Sequence, residues 1–323
     1  MINKLTNAIS FAVPKLRICV LGGTGFVGRD LTRHLVAHGH DVRIITRERE
    51  HHRDLLVLPT LQLITGDAHN PVLLRREFVG VDVVINLIGI LNEKGDTGAE
   101  FTYAHVELAQ KIVHACRKTG VKRLLHMSAL NAAPDALSHY LSSKGRAETL
   151  VHTALDLQVT SFRPSVIFGP EDNFTNRFAR LLRLTPWIFP LACANARLQP
   201  IDIEDVTKAF LWTLSHHESV GQRYDLCGSQ TYTLKEVVAY IARALKLRRH
   251  ILALGPRLSK WQAAMFEFVP GKPFSLDNYR SLQCESACRQ EYKDLFGVAP
   301  QDFESRLESH LGRKIINDLA QVS

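Results

Sequence analysis

Along this chain, short apolar runs alternate with stretches in which apolar residues recur every three or four positions. Residues 15–21 (Lys-Leu-Arg-Ile-Cys-Val-Leu) form a β-branched-rich run of the kind buried on both faces of a parallel sheet. Val27, Leu31, Leu35 and Val36 then fall at helical spacing, and Gly39 ends the pattern. Further strands are predicted at 41–46, 61–65, 81–87, 123–127 and about 159–167, with helices over about 101–118 and 140–152. Strand–helix alternation with short connections predicts an α/β fold: a Rossmann-type, doubly wound parallel sheet.

After Gly169-Pro170 the pattern changes. An amphipathic helix is predicted at 173–184, an apolar, proline-broken loop at 185–194, and a short strand at 200–203 leading into a helix that opens at Asp205. A late strand at 223–227 follows. The rest, 229–323, reads as mainly helical with a loop at Pro270-Gly271-Lys272-Pro273. The expected organisation is a tail (1–14), a nucleotide-binding domain (15–170) to which 201–228 returns, and a smaller, mainly helical lobe from 171–200 and 229–323.

The composition agrees with an ordinary globular protein: 323 residues, 46% hydrophobic and 22% charged. No apolar run approaches the ~20 residues a membrane helix needs. The apolar patch at 8–13 is too short for a signal peptide, so a cytoplasmic location, or a peripheral one on the inner membrane, is expected. The six cysteines are scattered without a Cys-x-x-Cys pair. Cys284 and Cys288 are expected to share a helix face, and a reducing compartment without a metal is the simplest reading. The net charge of +8 gathers at 43–53 and 246–250 without interleaved aromatics. No nucleic-acid partner is expected; a phosphate-bearing cofactor or an anionic membrane surface accounts for the basicity.

The chemistry concentrates in two places. Gly22, Gly25 and Gly28, with Thr24, Phe26 and Val27 between them, lie where a strand turns into a helix. There the first glycine permits the turn, the second lets backbone approach a pyrophosphate, and the third lets helix and sheet pack closely. The second strand ends in Arg47, where a carboxylate for the ribose 2′-hydroxyl is usually wanted; a guanidinium suits a 2′-phosphate, so NADP(H) is favoured, with NAD(H) as the alternative through Glu48. Asp67 is placed either to accept from the adenine amino group or to form a turn. Leu87 and Gly89 follow the fourth strand, along the ribose edge. Further on, Tyr140 is the one tyrosine with a lysine, Lys144, four residues later on the same helix face. A nearby ammonium is expected to lower the phenol's pKa from about 10. Ser128 closes the fifth strand, where its hydroxyl would orient a substrate oxygen while Tyr140 transfers the proton.

These motifs resemble the short-chain dehydrogenase/reductase superfamily of the extended type. Within it, three stretches resemble the NAD(P)-binding accessory subunit of respiratory complex I and its bacterial relatives: 124–130 (Leu-Leu-His-Met-Ser-Ala-Leu), 163–174 (Arg-Pro-Ser-Val-Ile-Phe-Gly-Pro-Glu-Asp-Asn-Phe) and 199–206 (Gln-Pro-Ile-Asp-Ile-Glu-Asp-Val). The resemblance implies a Rossmann domain with a small C-terminal lobe, NADP(H) as cofactor, and Pro164 to Val166 at the nicotinamide end. It also implies that Asp205 caps the following helix. His105 stands near a position where extended relatives carry a relay Asn, which leaves a standard four-residue relay in doubt.

Two functions are in view. One is an NADP(H)-dependent oxidoreductase or epimerase-like enzyme acting on a carbonyl or alcohol, with the apolar segment 185–191 either pointing to a quinone- or isoprenoid-related substrate or merely packing on the lobe. The other is a non-catalytic NADPH-binding accessory or assembly protein of a membrane respiratory or quinone-making complex. A redox-sensing regulator is disfavoured by the presence of Tyr140 and Lys144.

Overall fold

The computed structural model describes residues 14–269 and 272–320, with side chains through 311. The expected tail, apart from Pro14, and the Pro270-Gly271 dipeptide lie outside the described residues. Seven strands form one parallel sheet. In chain order they are β1 (Arg17–Leu21), β2 (Asp41–Thr46), β3 (Leu61–Thr65), β4 (Val83–Asn86), β5 (Arg123–Met127), β6 (Gln158–Pro164) and β7 (Arg223–Leu226). Their spatial order is β7-β6-β5-β4-β1-β2-β3. Strand order therefore reverses beside β1, and a crevice opens there at the carboxyl ends, where ligands bind in such sheets.

Helices cover both faces because alternate strand residues point to opposite sides. On one face Leu124 of β5 packs with Phe78 of α2 (Pro71–Phe78), Leu108 and Ile112 of α3 (Leu108–Thr119), and Ala147 and Val151 of α4 (His139–His152). On the other, Leu125 and Met127 join Leu31 and Leu35 of α1 (Phe26–Ala37) and Val206 and Phe210 of the helix Ile203–Ser215. A third core, built on Phe168, Val237, Ile241 and Phe303, holds the lobe together.

Several boundaries differ from the sequence reading. The strand expected to reach 167 stops at Pro164, and Ile167–Phe168 pairs separately with Ile201–Asp202. The segment read as a loop at 185–194 contains a strand, Ile188–Leu191, parallel to His250–Ala253. Pro186 and Pro190 hide it in the sequence, although proline is tolerated on an edge. Helix Ile203–Ser215 is capped by Asp202, whose carboxylate accepts the Glu204 N–H, and not by Asp205. Asp205 lies inside the helix and accepts the Gln301 N–H.

The cysteine reading is corrected as well. Cys284 and Cys288 do not share a helix; this segment runs as a strap, with Ser286 bridged to Leu198. Cys288 forms a disulfide with Cys227 at the end of β7, with Cα atoms 5.9 Å apart. The sequence gives no sign of it, because sixty-one positions separate the two.

Candidate active site

The glycine turn is shaped by what it has no room for. Gly22 sits at φ +82°, and a Cβ there would lie 3.1 Å from the backbone of Leu87 and Ile88. A Cβ on Gly28 would stand 2.2 Å from the Gly22 carbonyl oxygen. Gly25, by contrast, is open: its nearest obstacle is the Gly22 oxygen at 3.3 Å. Gly25 is the N-cap of α1, no side chain caps that end, and the first turn carries no acidic residue. Uncapped N–H groups at an unobstructed helix start fit a pyrophosphate. The turn therefore suits a dinucleotide, with Thr24, Phe26 and Val27 around it and Leu87 and Gly89 alongside.

On the β2 side of the turn, Arg47 is exposed just beyond the strand. Its neighbour Glu48 is engaged with His51 at 3.0 Å. Asp67 forms a turn, its carboxylate accepting the His69 N–H at 2.9 Å. The His69 ring stacks on Tyr103 at 3.8 Å, and the Lys111 ammonium lies 3.4 Å from His69. Sequence reasoning missed these three residues; the only available signal was that Tyr103 and Lys111 lie two turns apart on one predicted helix.

At the other end, α4 brings Tyr140 and Lys144 to the crevice. Lys144 is buried, and its ammonium donates to the Met127 carbonyl at 3.0 Å. A Cβ on Gly89 would come within 2.9 Å of that Nζ, so the glycine makes room for the ammonium. Burial lowers the Lys144 pKa to about 8. Tyr140 is half-buried, with its ring edge-on to His105 and Phe101. Its phenol is pushed up to about 12 by burial and, secondarily, by the Asp277 carboxylate. The expected lowering by Lys144 is absent: burial opposes the phenolate, and the ammonium is turned toward Met127.

His105 sits in a π-helical stretch, Thr102–Glu107, that leads into α3. Its Nε2 accepts the Ile90 N–H at 3.1 Å, so Nδ1 carries the proton and donates to the Ser143 hydroxyl at 2.8 Å. Burial, with Lys144 and His126 nearby, holds it neutral. Both nitrogens are thus committed to structure.

Ser128 is placed differently from Tyr140. Its hydroxyl oxygen is sealed from solvent and makes no well-formed hydrogen bond. It lies beside Glu148, also buried, which accepts from Arg163 Nε at 2.9 Å and Arg223 Nε at 2.8 Å. Burial works against the Glu148 carboxylate, but Arg163, the Ser128 hydroxyl and Arg223 together hold its pKa below the usual range. Glu148 is one turn beyond Lys144 on the face Tyr140 begins, so helical spacing from Tyr140 would have found it.

Residues 18–227 match the NAD dependent epimerase/dehydratase family. The chain belongs to that family. Among its relatives, the mouse "NADH dehydrogenase [ubiquinone] 1 alpha subcomplex subunit 9, mitochondrial" is 32% identical over 230 residues, covering 69% of this chain and 59% of the mouse protein. A Caulobacter vibrioides "Ceramide reductase" is 32% identical over 191 residues, 58% of this chain and 57% of that protein. The chain thus spans about three-fifths of these relatives. The solved epimerase Mth375 of Methanothermobacter thermautotrophicus superposes with a TM-score of 0.74 over 97% of this chain and 96% of its own, at 17% identity. That likeness shows the fold alone.

In this family member, the lobe also reaches the site. Asp277, on the lobe helix Leu276–Ser281, accepts the backbone N–H groups of His139 and Tyr140 at 2.6 and 3.1 Å. The strap meets the end of β6, where the Ser165 and Ser286 hydroxyls are 2.9 Å apart beside Pro164. Neither contact is legible in sequence, since 137 or 121 positions separate the partners.

Proposed function

We propose that this protein is an NADP(H)-dependent reductase of an apolar carbonyl compound, with Tyr140 as proton donor. The observation that carries this reading is that one helix face carries both a protonated phenol and a buried ammonium, the latter packed against Gly89 in the loop bordering the open glycine turn. A bound nicotinamide supplies the hydride. Tyr140 then delivers a proton to the oxygen on which negative charge develops, and a phenol with a pKa of about 12 remains fully loaded as a donor at neutral pH. Lys144, largely charged below about 8, gives one donor to the Met127 carbonyl and has donors left to bind the nicotinamide ribose. Gly22, Gly25 and Gly28 hold the pyrophosphate. Arg47 is available to a 2′-phosphate, while Glu48 is occupied by His51. Asp67 has one carboxylate oxygen in its turn, and the other is left for the adenine amino group.

The names of two relatives, "Ceramide reductase" and the Stenotrophomonas maltophilia "2-alkyl-3-oxoalkanoate reductase", favour reduction of a long-chain carbonyl. The test is turnover of NADPH with long-chain ketones, together with calorimetric NADPH binding, in wild type and Tyr140→Phe. The variant is expected to bind NADPH unchanged and to lose about a hundredfold or more in turnover. Equal turnover in both proteins would remove Tyr140 from the chemistry.

A second reading, a non-catalytic NADPH-holding subunit of a respiratory assembly, is favoured by one observation: the buried Ser128 hydroxyl faces Glu148, not the crevice. The complex I subunits among the relatives agree with it. On this reading, Tyr140→Phe leaves function intact while Gly25→Val abolishes it.

A further inference from the structure

The lobe presents an apolar face that its own core does not use. In the helix Pro256–Phe266 the buried side consists of Ser259 and Ala263, four residues apart. The large apolar residues Leu258, Trp261 and Met265 recur at helical spacing on the opposite side and are exposed, Trp261 by 64%. This inverts the normal pattern, in which the apolar stripe faces the core. The neighbouring strand pair continues the face. Phe189, Leu191 and Ile251 point inward, whereas Ile188 and Leu252 point out. Gln262 of the helix donates to the Pro190 carbonyl at 3.3 Å and joins the two elements. Trp187, 80% exposed, precedes the strand, and Phe268, 90% exposed, follows the helix.

Along the helix and the segment that leads into its strand partner the charge is of one sign, while Arg197 is paired with Glu285 and Glu267 follows the helix. Residues 174–201 contain four arginines and residues 245–266 five lysines or arginines, and neither segment contains an aspartate or glutamate. These nine positive charges exceed the net +8 of the whole chain, so the remainder is close to neutral. Arg257 and Lys260 lie on the apolar helix itself, and both are exposed.

We infer that this face docks on the surface of an anionic phospholipid bilayer. Exposed tryptophans at the rim of an apolar patch suit the level of the headgroups. The exposed Lys246, Arg248, Arg257 and Lys260 complement anionic lipid, whereas an apolar protein partner needs no such basic cluster beside it. Among the described residues, no helix is long and apolar enough to cross a membrane. The face ends at a depression of about 500 Å³ lined by Phe268, Val269, Asn92 and Glu93, beside the loop that follows β4 toward Gly89. Docking would therefore set the crevice mouth near the lipid. The inference is independent of turnover, because it concerns residues outside the dinucleotide site.

The test is co-sedimentation of the full chain with phosphatidylcholine vesicles, with and without phosphatidylglycerol, while tryptophan emission is followed in Trp212→Phe. Wild type should bind the anionic vesicles, with a blue shift from Trp187 and Trp261, and bind neutral vesicles at least tenfold more weakly. The double variant Arg257→Gln/Lys260→Gln should lose about thirtyfold in affinity for anionic vesicles. Trp261→Ser/Phe268→Ser should abolish the blue shift without lowering the melting temperature, since both side chains are exposed. Three results would each overturn the inference: no sedimentation with either vesicle, binding indifferent to phosphatidylglycerol, or a solution dimer that Trp261→Ser/Phe268→Ser dissociates, which would give the face to a second copy.

Discussion

Lys144 carries the clearest electrostatic consequence of a single position. Its ordinary pKa of 10.5 falls to about 8 because the ammonium is buried. Below pH 8 the group is charged in both folded and unfolded chains, and the folded protein bears the full desolvation penalty. Between about 8 and 10.5 the unfolded chain keeps a proton that the folded one has released, so stability rises with pH across that window. Lys144→Met should accordingly be more stable than wild type at pH 7, by an amount on the order of 2 kcal/mol, and the gap should close by pH 10.5 in thermal melts of the unliganded protein. Arg47 tests cofactor choice. Arg47→Asp should weaken NADPH binding by about tenfold to a hundredfold and spare NADH, as expected for losing hydrogen bonds to a charged group. Unchanged preference in titration would free Arg47 of that role. Gly28 tests the turn: with no space for a Cβ against the Gly22 oxygen, Gly28→Ala should abolish binding of either dinucleotide.

At the scale of elements, the start of α4 depends on a residue from the lobe. Asp277 accepts from two of the orphan N–H groups at that helix end, reinforcing Ser138, whose hydroxyl accepts the Leu141 N–H. Asp277→Ala should cost about 1–2 kcal/mol of stability, read in denaturant melts, and lower turnover through Tyr140 while NADPH affinity holds. A variant that melts like wild type would show that the helix start does not need this cap. The strands of the parallel sheet were legible because each is a short apolar run bounded by turn residues, as with Ile18 to Leu21 before Gly22. Tyr140 and Lys144 were legible because helical spacing alone puts them on one face. The strand Ile188–Leu191 was not, because Pro186 before it and Pro190 within it mimic a loop and its partner lies sixty-two positions away. Ser128 shows a different limit: the sequence placed it at the carboxyl edge of the sheet, but which neighbour its hydroxyl meets depended on Glu148, a contact across elements.

Across the whole molecule, one covalent link ties the lobe to the sheet. The Cys227–Cys288 disulfide fixes the strap that carries Ser286 to Pro164 and Ser165. Closing sixty-one positions of chain is worth about 4 kcal/mol on a chain-entropy basis. Reductant should lower the melting temperature of wild type and leave Cys227→Ala/Cys288→Ala, already destabilised, unchanged. No shift in wild type would mean that the two sulfurs are not joined in solution. Asp202 and Asp205 add polar links at the same junction, the former paired with Arg306 and the latter holding the Gln301 N–H. The seven-stranded sheet and the lobe are thereby kept in register.

On the proposed reading, the Tyr140 phenol protonates a carbonyl oxygen as a bound nicotinamide would reduce its carbon. Deuterium transfer from 4-deuterated NADPH to a long-chain ketone, read by mass spectrometry of the alcohol, tests it most directly. Wild type should yield labelled alcohol, and Tyr140→Phe, saturated with the same cofactor, should yield about a hundredfold less. Labelled product at equal rates from both proteins would remove Tyr140 from the proton transfer, and none from either across a panel of apolar carbonyls while NADPH is bound would show that the protein is not a reductase of such compounds.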